Sequence, residues 1–197
     1  IEGVKELHGA DYTIIPDRIE AGTYMIAAAM TGGDVIVDNV LPEHQKPLIA
    51  KLREAGAIVE EDIDKVRVIG TGSLKGVSIK TLPYPGFPTD MQAQIMAMMV
   101  VSEGGSKVTE TVFENRFMHV AELNRMGAKI TTADRSANIE GPAKLVGCDV
   151  RATDLRAGAA MILAGLVAEG ETSIGDLHNI DRGYEDIVEK LRNLGAD

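Results

Sequence analysis

Tryptophan is absent from this chain, whose 197 residues include only four tyrosines and three phenylalanines. Its interior must therefore be filled by Met, Ala, Leu, Ile and Val, which the 45% hydrophobic content can supply. A single cysteine, Cys148, excludes an intrachain disulfide and fits a reducing compartment. In Val146-Gly-Cys-Asp149 it has no helix start or neighbouring base to activate it, so it reads as an inert packing residue. No apolar run is long enough to span a bilayer as a helix, and no membrane partner is expected. Positive charge is also scarce. With 20 Lys and Arg against 30 Asp and Glu the formal net charge is −10, and no basic stripe offsets it, which argues against a nucleic-acid partner. It leaves room for a small anion held by a few local arginines. His119 and His178 lack partners at metal-ligand spacing, so neither a metal site nor a cofactor is expected.

What the chain does contain, it writes three times. Arg18-Ile-Glu-Ala-Gly22 aligns without a gap on Asp90-Met-Gln-Ala-Gln94 and on Arg156-Ala-Gly-Ala-Ala160. An apolar run follows in each copy: Tyr24 to Met30, Ile95 to Val101, and Met161 to Ala168. Helices built from these runs have no polar face and must be buried on every side. Each copy then reaches a glycine at the same offset, Gly32, Gly104 and Gly170, and enters a β-prone stretch: Val35 to Val37, Val108 to Val112, Thr172 to Ile174. A further fixed offset brings His44, Arg116 and Arg182, and each copy closes on Leu-x-x-x-Gly-Ala, at Leu52, Leu123 and Leu191. The period of roughly 66–72 residues exceeds the common solenoid units, which favours one closed domain over an open array.

Alternating strands and helices make the class α/β. The expected architecture is an inside-out α/β barrel of three βαβαββ-type units, about 1–75, 76–148 and 149–197. The last unit is cut short after its Leu-x-x-x-Gly-Ala, where the other two go on into hairpins, which suggests a piece of a longer polypeptide. Local signals fill in the units. Ile1 to Ile15 alternates loosely around His8-Gly9 and reads as a hairpin. Pro16-Asp17 marks a helix entry, and Lys46 to Ala55 reads as an amphipathic helix with Pro47 in its first turn. Hairpins are expected around Asp62 to Lys65 and Asp134 to Ser136. Val120, Leu123 and Met126 mark the second unit's outer helix. Tyr184, Ile187, Val188, Leu191 and Leu194 form the outer helical stripe of the third. The loop Gly70 to Gly76 only superficially resembles a phosphate-binding loop, because it lacks the lysine spacing and leads into no helix.

A helix running away from its start, followed by a strand running back, returns the strand's end to the edge holding the helix N-terminus. Open α/β proteins bind ligands on that edge. Arg18, Asp90 and Arg156 should therefore share a rim with His44, Arg116 and Arg182. Three helix openings and up to four guanidinium groups suit a phosphorylated or carboxylated ligand. Plainer readings stand beside this one. Arg18 has Asp17 and Glu20 close by for a surface ion pair, and Arg116 and Arg182 each lie near an acid in sequence. Asp90 fits a helix-start acid, and His44 fits a solvated residue ahead of a helix.

Five stretches carry a family resemblance: Ile15-Pro-Asp-Arg-Ile-Glu20, Phe87-Pro-Thr-Asp-Met-Gln-Ala-Gln94, Thr109-Glu-Thr-Val-Phe-Glu-Asn-Arg-Phe-Met-His119, Ala152-Thr-Asp-Leu-Arg-Ala157 and Ile180-Asp-Arg-Gly-Tyr-Glu185. With them the chain resembles the C-terminal half of the UDP-N-acetylglucosamine 1-carboxyvinyltransferase family, the UDP-N-acetylglucosamine enolpyruvyl transferases of the EPSP synthase-like superfamily. The resemblance implies two inside-out α/β barrel domains of three units each, closing on an active site between them. It implies transfer of the enolpyruvyl group of phosphoenolpyruvate to the 3′-hydroxyl of UDP-N-acetylglucosamine with loss of phosphate, the first committed step of peptidoglycan synthesis in the bacterial cytoplasm. Carried over by motif, Asp90 resembles the aspartate that binds the 3′-hydroxyl and serves as its base. Val112 is similar to the position whose backbone meets the nucleotide sugar, and Arg182 to the arginine that reaches the phosphate of phosphoenolpyruvate on closure. Arg116, Asp154 and Arg156 match further charged residues of the cleft. The family's reactive cysteine sits in a Gly-Gly-Cys-type loop of the other domain, alongside a lysine–asparagine pair. Neither is present here, and Cys148 is not that cysteine's counterpart. The resemblance thus implies a second domain as partner, and a chain that alone binds the nucleotide sugar weakly and does not turn over. The alternatives are a 5-enolpyruvylshikimate-3-phosphate synthase-like enzyme and a non-catalytic binding or assembly domain.

Overall fold

A computed structural model describes residues 1–196 of the chain. The first unit runs α1 (Arg18–Thr31), β1 (Asp34–Asp38), α2 (Pro42–Ala55), β2 (Ile58–Glu61) and β3 (Lys65–Ile69). The second runs β4 (Ser78–Lys80), a 3-10 turn (Thr89–Met91), α3 (Gln92–Val101), β5 (Gly104–Thr109), α4 (His119–Arg125), β6 (Ile130–Ala133) and β7 (Ser136–Gly141). The third runs β8 (Asp149–Arg151), α5 (Leu155–Gly165), β9 (Ser173–Gly175), α6 (His178–Asp181) and α7 (Ile187–Asn193).

The three apolar helices α1, α3 and α5 pack against one another at the centre. Ile95, Met96, Ala97, Met98, Met99 and Val100 of α3 are all fully buried, as the missing polar face requires. With aromatics so few, flexible methionine chains fill the space between the helices. Each central helix lies on the inner face of its own sheet. The first sheet has the order β1-β3-β2 and is antiparallel, pairing Val35 with Val68 and Val37 with Val66. The second, β4-β5-β7-β6, adds a parallel edge strand, with Ile79 opposite Val108. The third consists of the parallel pair β8-β9. Sheets and amphipathic helices thus surround three buried helices, the inside-out α/β arrangement expected from the repeat. Gly32, Gly104 and Gly170 occupy the left-handed region, with φ of 72°, 92° and 86°. The chain reverses there between helix and strand, which accounts for glycine at this offset in every copy.

Four local expectations change. Residues 1–15 form no hairpin. They carry no helix or strand and are exposed, with Leu7, Tyr12 and Ile14 in solvent, because a two-stranded ribbon with no face to pack on is marginal. Among the described residues the outer edge of β1 stays unpaired, although β5 and β9 each gain a parallel partner there. Helix α2 starts at Pro42 rather than Lys46, which places His44 in its first turn and Pro47 inside it. Proline at the first helical position forfeits no hydrogen bond. Strand β5 spans Gly104–Thr109, so the β-prone Glu110 to Val112 lies beyond it. Tyr184 precedes α7 in a turn, and Val188 and Leu194 of the expected stripe are half exposed. The Tyr184 ring still packs with Ile187 and Leu191 of the stripe, while its hydroxyl bonds Thr23 of α1 at 2.9 Å and accepts from the Gln94 amide of α3 at 3.2 Å. This buried junction ties the three units together beneath the rim.

Candidate functional site

Helix openings set the site. Asp17 caps α1, its Oδ1 accepting from the Ile19 N–H at 2.7 Å, and Asp154 caps α5, accepting from the Arg156 and Ala157 N–H groups at 2.8 and 2.9 Å. The cap leaves Arg156 on the first turn of α5, facing the turn that opens α3. Asp90 sits in that turn, where its carboxylate accepts from Arg116 at 2.6 Å through one oxygen and from Arg156 at 3.3 Å through the other. Both arginine side chains are largely buried, whereas the Asp90 side chain is 41% exposed. The Phe113 ring lies 4.5 Å from the Arg116 guanidinium and completes its packing.

An open cavity of about 570 Å³ is lined by Asp90, Arg116, Asp154, Arg156 and Arg182, with Phe113 and Met118 on its walls. Arg182 is exposed and has no carboxylate at ion-pair distance among the described residues. Asp90 also borders a second cavity of about 630 Å³, lined by Val112, Arg18, His44 and Tyr84 among others. Here Arg18 lies 5.1 Å from the centre of the Tyr84 ring, and His44 meets that ring edge-on at 6.0 Å. The rim therefore divides into two cavities. Asp90, Arg116, Asp154, Arg156 and Arg182 meet in one, while Val112 lies in the neighbouring one and Asp90 borders both. Arg18 makes neither ion pair available in its sequence neighbourhood, because Asp17 is a cap and Glu20 pairs with Lys190 at 2.8 Å. Arg116 likewise passes over Glu114 for Asp90. Among the described residues no three His, Cys, Asp or Glu side chains group as metal ligands.

Sequence reasoning missed Glu110. Only 1% exposed, it sits directly behind the site with both oxygens hydrogen-bonded. Its neighbours Thr109 and Thr111 made it look like one polar residue of a strand. Burial raises its pKa, but donors from Thr81, Phe113, Val112 and Thr89 together outweigh burial and hold the carboxyl below its ordinary value. Val112 donates its N–H to this carboxylate at 2.8 Å, so its carbonyl is the backbone group left for a ligand.

A family model described as EPSP synthase (3-phosphoshikimate 1-carboxyvinyltransferase) matches residues 1–191. The chain belongs to the EPSP synthase family. Among the curated relatives of this EPSP synthase family chain is UDP-N-acetylglucosamine 1-carboxyvinyltransferase 1 of Caldanaerobacter subterraneus subsp. tengcongensis, 62% identical over 196 residues. Another is UDP-N-acetylglucosamine 1-carboxyvinyltransferase 2 of Carboxydothermus hydrogenoformans, 63% identical over 198 residues. Each match takes in 100% of this chain and 47% of the relative, so the chain spans about half the length of the curated relatives it matches. Among solved structures, the enolpyruvyl transferase NikO from Streptomyces tendae superposes with a TM-score of 0.87 at 31% identity, covering 95% of this chain and 45% of NikO. EPSP synthase from Acinetobacter baumannii, at 20% identity, a TM-score of 0.65 and 83% and 40% coverage, shares the fold.

Proposed function

We propose that this chain is one domain of a UDP-N-acetylglucosamine 1-carboxyvinyltransferase. In this reading the enolpyruvyl group of phosphoenolpyruvate moves to the 3′-hydroxyl of UDP-N-acetylglucosamine with release of phosphate. The observation that carries the reading is Asp90 held between Arg116 and Arg156 at the boundary of two cavities, with exposed Arg182 on the wall of one. The carboxylate orients the 3′-hydroxyl and accepts its proton, which requires hydrogen-bond reach. The arginines supply cationic donors for the phosphate and carboxylate of phosphoenolpyruvate, in a geometry that guanidinium groups suit. Asp154 fixes the opening of α5 and so aims Arg156. The Val112 carbonyl meets the nucleotide sugar from the adjoining cavity. High identity to proteins bearing the transferase name along the whole chain supports the choice of acceptor.

A second domain of the same polypeptide supplies the remaining catalytic groups, and the two close around the substrates in the bacterial cytoplasm during peptidoglycan synthesis. The 197-residue chain alone is accordingly expected to release no phosphate, because half of the electrostatic cradle is missing. Phosphate release by the full-length polypeptide tests the reading. The expected result is release from phosphoenolpyruvate that depends on UDP-N-acetylglucosamine and not on shikimate 3-phosphate. Dependence on shikimate 3-phosphate instead, or no release with either acceptor, would overturn it.

A further inference from the structure

Behind the site lies a buried carboxylate that the reaction does not consume. Glu110 Oε1 accepts from the Thr81 hydroxyl at 2.7 Å and from the Val112 and Phe113 N–H groups at 2.8 and 3.1 Å. Oε2 accepts from the Thr89 hydroxyl and the Gln92 amide, both at 2.9 Å. These donors come from separate places: the residue after β4, the turn ahead of α3, α3 itself, and the loop after β5. No cation lies at ion-pair distance from Glu110 among the described residues, so neutral donors alone offset the desolvation of its charge.

The placement of these donors is specific to the site. Thr89 immediately precedes Asp90, and the loop that donates through Val112 and Phe113 also carries Arg116. A buried charge is weak evidence of stability, since an apolar side chain of similar volume commonly does as well. A carboxylate with five directed hydrogen bonds does something an apolar residue cannot. It fixes the angle and spacing between two segments. We propose that Glu110 is a positioning residue of this site, setting the loop of Val112 and Arg116 against the turn of Asp90 so that the nucleotide sugar meets a preformed surface. The proposal rests on the transferase reading above. The Phe113 N–H also donates to Glu110, so the Val112 carbonyl, trans to it in the same peptide plane, points away from Glu110.

The test uses the full-length polypeptide and compares Glu110→Ala, Glu110→Gln and Thr89→Val by steady-state kinetics, with circular dichroism to confirm folding. Glu110→Ala is expected to raise KM for UDP-N-acetylglucosamine by about tenfold or more; KM for phosphoenolpyruvate rises less, because Arg116 keeps its own ion pair with Asp90. Glu110→Gln should restore most of the affinity. Its amide can face Thr89 and the Gln92 carbonyl oxygen, which has no partner among the described residues. Thr89→Val removes one donor without opening a cavity, so it reports even if the alanine variant does not fold. A rise of about threefold in the sugar KM is expected for it. An unchanged sugar KM in folded Thr89→Val or Glu110→Ala protein would overturn the proposal. So would equal shifts in both KM values. Asp90→Ala and Arg116→Ala separate the two levels. If they too leave the kinetics unchanged, the site reading has failed; if they impair the enzyme while Glu110 and Thr89 variants do not, only the positioning role has.

Discussion

Replacing Asp90 with alanine in the full-length polypeptide should lower turnover by about 10²- to 10⁴-fold, the usual range for removing a positioned general base. The unfolding midpoint should hardly move. Asp90 makes two ion pairs, but its side chain is 41% exposed, and pairs of that exposure contribute about 0–1 kcal/mol. The variant also leaves the Arg116 and Arg156 guanidinium groups near one another with no acid between them. Binding of an anion at that position can therefore persist while chemistry is lost, which would appear as a fall in kcat larger than any rise in KM for phosphoenolpyruvate. Asp90→Asn keeps the shape and removes the charge. It should resemble alanine if the carboxylate takes a proton and resemble wild type if it only fills space. Unchanged turnover with a lowered midpoint would reassign the cluster to salt-bridged decoration of a non-catalytic scaffold.

The second large effect concerns stability. His119 opens α4, is 2% exposed, and places Nε2 3.3 Å from the Met96 sulfur. Burial pushes its pKa down to about 4, with Asp154 pulling it up and Arg116 pushing it down by less. The native imidazole is therefore neutral well below the ordinary value near 6.5, while the unfolded chain binds a proton there. Between those two values the unfolded state holds more protons, so stability falls as pH falls. The loss from this one group approaches about 3 kcal/mol and is mostly complete by about pH 4.5. Glu110 and Asp34, whose pKa values are lowered, act in the same direction but at lower pH. Their stabilisation is present above the ordinary carboxylate values and is lost only as pH drops through the folded ones. Urea unfolding of wild type and His119→Gln between pH 7 and 4.5 should give curves that converge as pH falls. Parallel curves would contradict a neutral buried His119.

Much of this was legible because the repeat states it three times. The apolar runs of α1, α3 and α5 allow no exposed face, and their common glycine offset marks the reversal into a strand. Helix openings meeting at one edge follow from that alternation, and the ion pairs of Asp90 with Arg116 and Arg156 bring the openings of α3 and α5 together. What escaped notice depends on tertiary partners. The alternation of Val4 and Leu7 suggested a hairpin, but nothing lies beneath it to bury either face. Tyr184 fits the stripe by spacing and packs with Ile187 and Leu191, yet it lies in the turn before α7, from which its hydroxyl reaches Thr23 and Gln94. Val112 and Thr111 have the β-propensity to extend β5. Glu110 diverts the chain by taking the backbone donors of Val112 and Phe113. Arg18 aligns with Asp90 and Arg156, but the aromatic face of Tyr84 draws it into the neighbouring cavity, and only a folded arrangement brings that ring near.

A crystal structure of the full-length polypeptide with bound UDP-N-acetylglucosamine tests the central claim most directly. The distance to measure runs from the Asp90 carboxylate to the sugar 3′-hydroxyl. Hydrogen-bond reach, about 2.6–3.2 Å, is expected, with the Val112 carbonyl also in contact with the ligand. A nucleotide sugar seated elsewhere, with Asp90 still closed between Arg116 and Arg156, would contradict the account.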